Sequence, residues 1–125
     1  PAHSVGDLLK KRGERKLVTI SPDATAEQAI QLLEATGISQ LPVMDAGKPV
    51  GSVQEVTLVR VMHDASDPNA VRIGDVMARP LPTVDVNTHL DEAYRLLLAG
   101  YTGVLATSDG TVVDIVTRID LIHYW

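Results

Sequence analysis

The sequence predicts a mixed α/β (α+β) fold of two β-α-β-β-α repeats, stacked face to face about a pseudo-twofold axis. The stretch Val5–Leu9 returns as Ile73–Met77, and both place apolar residues at i, i+3 and i+4, the spacing of an amphipathic helical turn. Each half also carries two short apolar segments joined by a turn sequence, which is typical of a β-hairpin. One half is too small to be stable alone, and stacking the halves would bury one sheet face of each. We therefore expect a first repeat over 5–62, a linker over 63–72 and a second repeat over 73–125, folded as one intertwined module.

After its opening turn, each repeat continues with an extended segment and an amphipathic helix. The extended segments are Leu17–Ile20 and Leu81–Val84. The helices carry apolar residues at i, i+3, i+4 and i+7, first at Ala26, Ala29, Ile30 and Leu33, then at Leu90, Ala93, Tyr94 and Leu97. Their predicted N-caps are Thr25, with Gln28, and Thr88, with Asp91. Their predicted left-handed C-caps are Gly37 and Gly100.

A hairpin and a closing helix complete each repeat. The first hairpin is expected from Leu41–Met44, the turn Asp45–Lys48 and Val50–Val53, and the second from Val104–Thr107, the turn Ser108–Gly110 and Val112–Val116. The closing helices are expected over 55–62 and 118–125. Polar, proline-containing residues between the halves mark the linker.

Composition and charge narrow the classes of function. With 45% apolar residues, a chain of 125 residues can form a real core. A net charge of -5 with dispersed cations argues against nucleic acid as the main partner. The absence of cysteine excludes a disulfide framework, thiolate chemistry and a cysteine-based zinc site. Short, interrupted apolar runs and the absence of a signal-peptide pattern predict a soluble cytoplasmic chain that does not enter a membrane.

No motif for catalysis or metal binding stands out. The sequence has no Gly-x-Ser-x-Gly, P-loop or Rossmann glycine pattern. Its four histidines are scattered, without the spacing of a metal site. A basic run, Lys10–Arg12 with Arg15 and Lys16, is interpreted as a solvated surface. We therefore expect neither an enzyme nor a metal site.

The segment after the last strand carries the strongest signal for function. Thr117 stands where a helix N-cap belongs, and Asp120, three residues on, can reach back to it as in a capping box. The same carboxylate, held rigidly at a helix start, can accept hydrogen bonds from two vicinal hydroxyls of a ribose, while the cap hydroxyl faces a phosphate or another polar group. The pattern is compatible with a simple helix start and with a nucleoside site.

Two motifs and the doubled pattern resemble a known family. The motifs are Gly-Ile-Ser-Gln-Leu-Pro-Val over Gly37–Val43 and Val-Thr-Arg-Ile-Asp-Leu over Val116–Leu121. Together they resemble a tandem pair of CBS domains, the Bateman module, over essentially the whole chain. Within that family, these motifs and Gly51–Val53 are most similar to the C-terminal regulatory region of a bacterial-type cystathionine beta-synthase.

The resemblance implies an adenosyl-ligand site. Thr117 and Asp120 would bind the ligand, with Asp120 taking the ribose hydroxyls, flanked by Val116, Arg118 and Ile119. The adenine and methionyl parts would meet the turn before the second strand, at Ile38, Ser39, Gln40 and Leu41. Backbone contacts would come from Leu17, Val18 and Thr19.

The pseudo-symmetric second site departs from this pattern. Aligning Val53 with Val116 places Thr57 where Asp120 stands, and a threonine cannot hold a diol as an anion. We expect this site to be weak or blocked, leaving one strong ligand per chain. Its residues would be Gln54, Thr57, Thr83, Tyr101 and Gly103.

The resemblance predicts a regulatory sensor module rather than an enzyme. Its ligand would be S-adenosylmethionine or, failing that, AMP, ADP or ATP, and it would have no cofactor of its own. It would control an attached or associated enzyme, a cystathionine beta-synthase, whose catalytic domain would precede Pro1. We expect a homodimer of such pairs. The alternative function is a ligand-free association domain, in which the apolar helices dimerise chains and Asp120 only caps a helix.

Overall fold

The computed structural model of the chain describes residues 3–13 and 15–125. Its helices are α1 (Val5–Arg12), α2 (Ala26–Thr36), α3 (Glu55–Asp64), α4 (Ile73–Val76), α5 (Leu90–Leu98) and α6 (Arg118–Tyr124). Its strands are β1 (Gln40–Asp45), β2 (Lys48–Gln54), β3 (Thr83–Asp85), β4 (Val104–Ser108) and β5 (Thr111–Val116). Residues 63–72 hold the end of α3 and a 3-10 helix over Pro68–Ala70. Helices with two small sheets confirm the predicted α+β class. Within the described ranges, no helix is long and apolar enough to cross a membrane.

The chain divides into two compact units that do not coincide with the sequence repeats. The early unit is Val18–Pro80, and the late unit is the segment up to Leu17 together with Leu81–Trp125. Helix α1 opens the first repeat but packs in the late unit, where Leu8 is fully buried. Helix α4 opens the second repeat but packs in the early unit, where Ile73 is fully buried. The opening helix of each repeat therefore completes the core that the other repeat provides.

The early unit is built on the antiparallel hairpin β1–β2. Ile20 adds a single parallel bridge to Val43 of β1, so the extended segment predicted over Leu17–Ile20 contributes one bridge rather than a strand. The N–H of Ser52 in β2 donates to the carbonyl of Ala78 at 3.1 Å, and the Ala78 N–H donates back at 2.8 Å. The main chain that follows α4 thereby closes this edge of the hairpin.

The late unit is built on three strands. Strand β3 runs parallel to β4, and β4 pairs antiparallel with β5. Helices α1, α5 and α6 add their apolar residues to the core. Fully buried core residues of this unit include Val5, Leu8, Ala93, Val104, Ala106 and Val116.

The two hairpins match residue for residue. The pairs Leu41 with Val53 and Val104 with Val116 occupy the same register position in β1–β2 and β4–β5. Equivalent positions therefore lie 63 residues apart, as Leu41 and Val104 do. Both turns hold two consecutive residues at positive φ, at 46–47 and at 109–110, as the twist of a tight hairpin favours. This equivalence allows a direct comparison of the two units.

Capping boxes start α1 and α2. The Ser4 N–H donates to Asp7 Oδ2 at 2.9 Å, and the Asp7 N–H donates to Ser4 Oγ at 3.1 Å. The hydrogen bond from the Ser4 backbone, followed by one from the Ser4 side chain, holds the pKa of the Asp7 carboxyl below its ordinary value. Thr25 caps α2 together with Gln28, as predicted, and Gly37 ends α2 at a left-handed φ of 73°.

The N-terminal end of α5 differs from the sequence prediction. The N-cap is His89, whose Nδ1 accepts a hydrogen bond from the Asp91 N–H at 3.0 Å, so the cap predicted at Thr88 is wrong. The reason is that the Thr88 carbonyl accepts from the Val5 N–H at 2.9 Å instead of accepting the first hydrogen bond of the helix, which begins one residue later. At the other end, Gly100 follows the helix at a positive φ of 115°. The Gly100 N–H donates to the Leu97 carbonyl at 3.4 Å and the Tyr101 N–H to the Leu96 carbonyl at 3.3 Å, so the predicted helix end at Gly100 is confirmed.

Candidate functional site

Asp120 lies in the first turn of α6 and is 5% exposed. Its Oδ2 accepts hydrogen bonds from the Thr117 backbone N–H at 2.9 Å and from the Thr117 hydroxyl at 3.3 Å. The predicted capping box at this helix start is confirmed. Because the carboxylate is fixed and almost fully buried, its remaining contacts decide what it can bind.

Two arginines hold the same carboxylate. Arg12 Nη1 donates to Asp120 Oδ2 at 3.0 Å, and Arg15 Nη2 donates to this oxygen at 3.3 Å. Arg12 Nη2 also lies 2.5 Å from Asp114 Oδ2, and Arg15 Nε lies 3.9 Å from Asp114 Oδ1. We call Arg12, Arg15, Asp114 and Asp120 the charge cluster. Its two cations balance its two anions, which is the condition for burying carboxylates at acceptable cost.

The charge cluster corrects the interpretation of the basic run. Lys10 and Lys16 are exposed, as predicted, but the side chain of Arg12 is only 14% exposed. The prediction of a solvated surface is therefore wrong for Arg12. Arg12 follows the buried Leu8 by four residues, so it lies on the buried face of α1. That spacing, and the single acid Asp114 inside an apolar strand, were the signals in the sequence for this pairing.

Two separate spaces, a cavity and a groove, border the charge cluster. Asp120 borders a cavity of about 210 Å³ that is also lined by Leu8, Lys11, Arg12, His123 and Tyr124. This volume is smaller than the roughly 300–1,000 Å³ typical of small-molecule pockets. A groove of about 750 Å³ is lined by Asp114 and by three cations, Lys10, Arg15 and Lys16. A ligand of typical size at Asp120 would therefore extend beyond this cavity.

The other predicted site residues of the late unit differ in exposure. Val116 is fully buried in the core, whereas the side chain of Ile119 is 52% exposed. Arg118 is exposed, and its Nε donates to the Leu97 carbonyl at 3.3 Å. Leu17 is half-buried. Among residues 3–13 and 15–125, no group of three or more His, Cys, Asp or Glu side chains could hold a metal ion.

The residues predicted to meet the adenine and the polar tail belong to the early unit. Leu41 is fully buried in its core, and Ile38 packs against that core. Ser39 is exposed, and its carbonyl accepts from the Glu55 N–H at 2.9 Å. Gln40, Val18 and Thr19 are half-buried. The predicted contacts of these residues with a ligand stay predictions.

The residues predicted for the degenerate site likewise belong to different units. Gln54 ends β2 and Thr57 lies in the first turn of α3, the position equivalent to Asp120. Thr83, Tyr101 and Gly103 belong to the late unit, and the side chain of Tyr101 is 47% exposed. The hairpin register supports the alignment of Thr57 with Asp120, and the weakness of this site stays a prediction.

Comparison with protein families decides the family. The model of the CBS domain family matches residues 5–64 and 73–125. The chain belongs to the CBS domain family. With two matches along its length it is a CBS pair, which confirms the predicted tandem arrangement.

Curated relatives share the CBS pair within longer proteins. The chain is 28% identical to the cystathionine beta-synthase of Dictyostelium discoideum over 127 residues, which are 95% of this chain and 25% of that enzyme. It spans 61%, 48% and 21% of the lengths of three other curated relatives. These comparisons establish a shared module and not a shared activity.

Solved structures share the fold of this CBS pair. A CBS-domain containing protein from Agrobacterium tumefaciens is 25% identical with a TM-score of 0.82, covering 98% of this chain and 93% of that chain. The CBS-pair protein CBSX2 from Arabidopsis thaliana is 25% identical with a TM-score of 0.78, covering 98% and 94%. CBSX2 has also been crystallised in complex with AMP, in a structure with 24% identity, a TM-score of 0.77 and coverage of 97% and 94%. The α+β fold of a CBS pair is confirmed.

Proposed function

We propose that this CBS pair is a regulatory module that binds an adenosyl ligand through Asp120 and has no chemistry of its own. The observation that carries the proposal is the Asp120 carboxylate, 5% exposed and fixed by the Thr117 N–H at the start of α6. A held carboxylate is suited to accept hydrogen bonds from both hydroxyls of a ribose, and bonds to an ionised acceptor are stronger than neutral ones. The AMP complex of CBSX2 supports the adenosyl class.

The proposal includes two candidate ligands and one kind of partner. The likeness to a cystathionine beta-synthase supports S-adenosylmethionine as ligand and such a synthase as the attached or associated enzyme. The AMP complex of CBSX2 supports an adenine nucleotide instead. In either case, the ligand regulates only if it binds one arrangement of the module more tightly than another.

Calorimetric titration of the full chain with AMP, ATP and S-adenosylmethionine, at fixed salt and pH, tests the ligand proposal. We expect saturable binding of one ligand per chain. Asp120→Asn should weaken binding by about 1.5–3 kcal/mol, the range for a hydrogen bond to a charged group. Asp75→Asn is the matched control, since Asp75 is an exposed acid in the first turn of α4, and it should leave binding unchanged. Absence of binding by all three compounds, or equal affinity in wild type and Asp120→Asn, would refute the proposal.

We further propose that a second copy of the chain covers an apolar stripe present on both closing helices. Each of these six side chains is more than half exposed: Val56, Val59 and Met62 on α3, and Ile119, Ile122 and Trp125 along α6 and its end. The two sets occupy equivalent positions, 63 residues apart. Apolar side chains exposed in such groups are typical of protein contacts. A second copy offers the same two sets, which makes it the matching occupant.

Measurement of molar mass by light scattering tests this association. The wild-type chain should have twice the chain mass of 13.4 kDa, and Ile122→Glu should have 13.4 kDa, because a buried unpaired carboxylate opposes association. Leu98→Glu is the control, since Leu98 is 84% exposed and lies outside the stripe. A wild-type mass of 13.4 kDa would refute the homodimer. A dimer that binds none of the three compounds would favour the association-domain function.

A further inference from the structure

We infer that Arg12 is an internal competitor for the ligand at Asp120. In the structure, Arg12 Nη1 donates a hydrogen bond at 3.0 Å to Asp120 Oδ2. A ribose diol bound by both carboxylate oxygens would need this same oxygen as an acceptor. Binding of the ligand then requires that Arg12 leave Asp120. This inference rests on the proposed function and adds to it a device that sets the affinity.

The Oδ2 atom of Asp120 already accepts as many hydrogen bonds as a carboxylate oxygen can. Asp120 Oδ2 receives four donors within 3.3 Å: Arg12 Nη1, Arg15 Nη2, the Thr117 N–H and the Thr117 hydroxyl. An ionised carboxylate offers about four lone-pair positions over both of its oxygens. A vicinal diol held by both oxygens therefore has to displace a donor from Oδ2. The Thr117 N–H and the Thr117 hydroxyl both belong to the capping box that starts α6, so the arginine bonds are the ones that yield.

The two units close the equivalent edge of their hairpins in different ways. Ile115 of β5 occupies the position that Ser52 occupies in β2. In the early unit this edge is closed by backbone hydrogen bonds between Ser52 and Ala78. In the late unit the Ile115 carbonyl instead accepts from Arg12 Nη1 at 2.9 Å and from Arg15 Nη2 at 3.4 Å. A side chain can leave this edge by rotation about its own bonds, whereas backbone pairing cannot open without moving the chain.

Incomplete hydrogen bonding of Arg12 also favours its release. Among the described residues, its buried Nε has no hydrogen-bond partner, whereas Nη2 forms an ion pair with Asp114 Oδ2 at 2.5 Å. A buried donor without a partner raises the free energy of the arrangement in which Arg12 is bonded to Asp120. Arg15, with a side chain 48% exposed, lies within 4 Å of both carboxylates, so one cation remains beside them when Arg12 leaves.

The consequence is a coupling between the ligand and the end of α1. Arg12 is the last residue of α1 and bonds to β5 and α6 of the same unit. The apparent affinity for the ligand equals the intrinsic affinity multiplied by the fraction of chains in which Arg12 has left Asp120. Ligand binding should therefore free the end of α1, and weakening of the Arg12 contact should tighten binding.

Affinities of the full chain for AMP, ATP and S-adenosylmethionine, measured by calorimetry, test the inference. Arg12→Gln should bind the active ligand about tenfold or more tightly than wild type, as expected when a competing charged hydrogen bond is lost. Arg12→Lys keeps the charge but cannot bridge Asp114, Asp120 and the Ile115 carbonyl. Its increase in affinity for the ligand should therefore be smaller than that of Arg12→Gln. Arg12→Lys also provides a folded variant if Arg12→Gln is too unstable. Arg60→Gln is the matched control, because Arg60 is exposed and forms no ion pair with the described residues, and its affinity should equal that of wild type.

The outcomes separate this inference from the proposed function. Tighter binding by both Arg12 variants than by wild type supports the inference. Equal or weaker binding by both variants overturns it, because Arg12 then does not compete or instead contacts the ligand, and the proposed function stands. Absence of binding in wild type and in both variants overturns the proposed function and the inference together.

Discussion

Arg12→Ala is expected to lower the free energy of unfolding by about 3–5 kcal/mol, the cost of removing one partner from a buried ion pair. Asp114 and Asp120 are 8% and 5% exposed. Among the described residues, their only remaining cation would be Arg15, whose side chain is 48% exposed. The Ile115 carbonyl would also lose the donor at 2.9 Å. The loss should therefore exceed that of an exposed arginine many times.

Urea unfolding of wild type, Arg12→Ala and Arg60→Ala provides the comparison. The exposed Arg60 should change the free energy of unfolding by less than about 0.5 kcal/mol. If Arg12→Ala lost no more than Arg60→Ala, the charge cluster would not stabilise the fold, and the basis of the competition at Asp120 would be removed.

Leu8→Ala should lower the free energy of unfolding by about 2–5 kcal/mol, because Leu8 is fully buried and its truncation leaves a cavity. Leu8 belongs to the first repeat in sequence but to the core of the late unit. Amide hydrogen exchange should therefore accelerate in β4 and β5 more than in β1 and β2.

Leu98→Ala is the control for this substitution. The side chain of Leu98 is 84% exposed, so its truncation should change the free energy of unfolding by less than about 0.5 kcal/mol. Faster exchange in β1 and β2 than in β4 and β5 of Leu8→Ala would contradict the placement of α1 in the late unit.

Local features of the fold could be predicted from the sequence because nearby residues determine them. The hairpins, the capping box of Thr25 with Gln28 and the left-handed Gly37 all depend on contacts within a few residues. The N-cap of α5 was predicted one residue early because threonine and histidine can both accept from a helix N–H, and the turn before the helix decided between them. The packing of α1 with the late unit depends on residues about 80 or more positions away, such as Val84 and Val116, which periodicity does not reveal.

The candidate site was predicted only in part for the same reason. The Thr-x-x-Asp pattern located Asp120 and its capping box, since the four residues are contiguous. Its partner Arg12 lies 108 positions away in sequence and was interpreted as part of a solvated run. Each arginine of that run has the same charge, and only the position of Arg12 on the buried face of α1 distinguishes it.

A crystal structure of the chain with its bound adenosyl ligand would test the central claim most directly. The decisive quantity is the distance from Arg12 Nη1 to Asp120 Oδ2, which is 3.0 Å in the present structure. We predict that both ribose hydroxyls donate to the Asp120 carboxylate and that this distance exceeds about 3.5 Å, beyond hydrogen-bond reach. A ligand bound away from Asp120, or a ligand on Asp120 with the Arg12 bond still at 3.0 Å, would contradict the account.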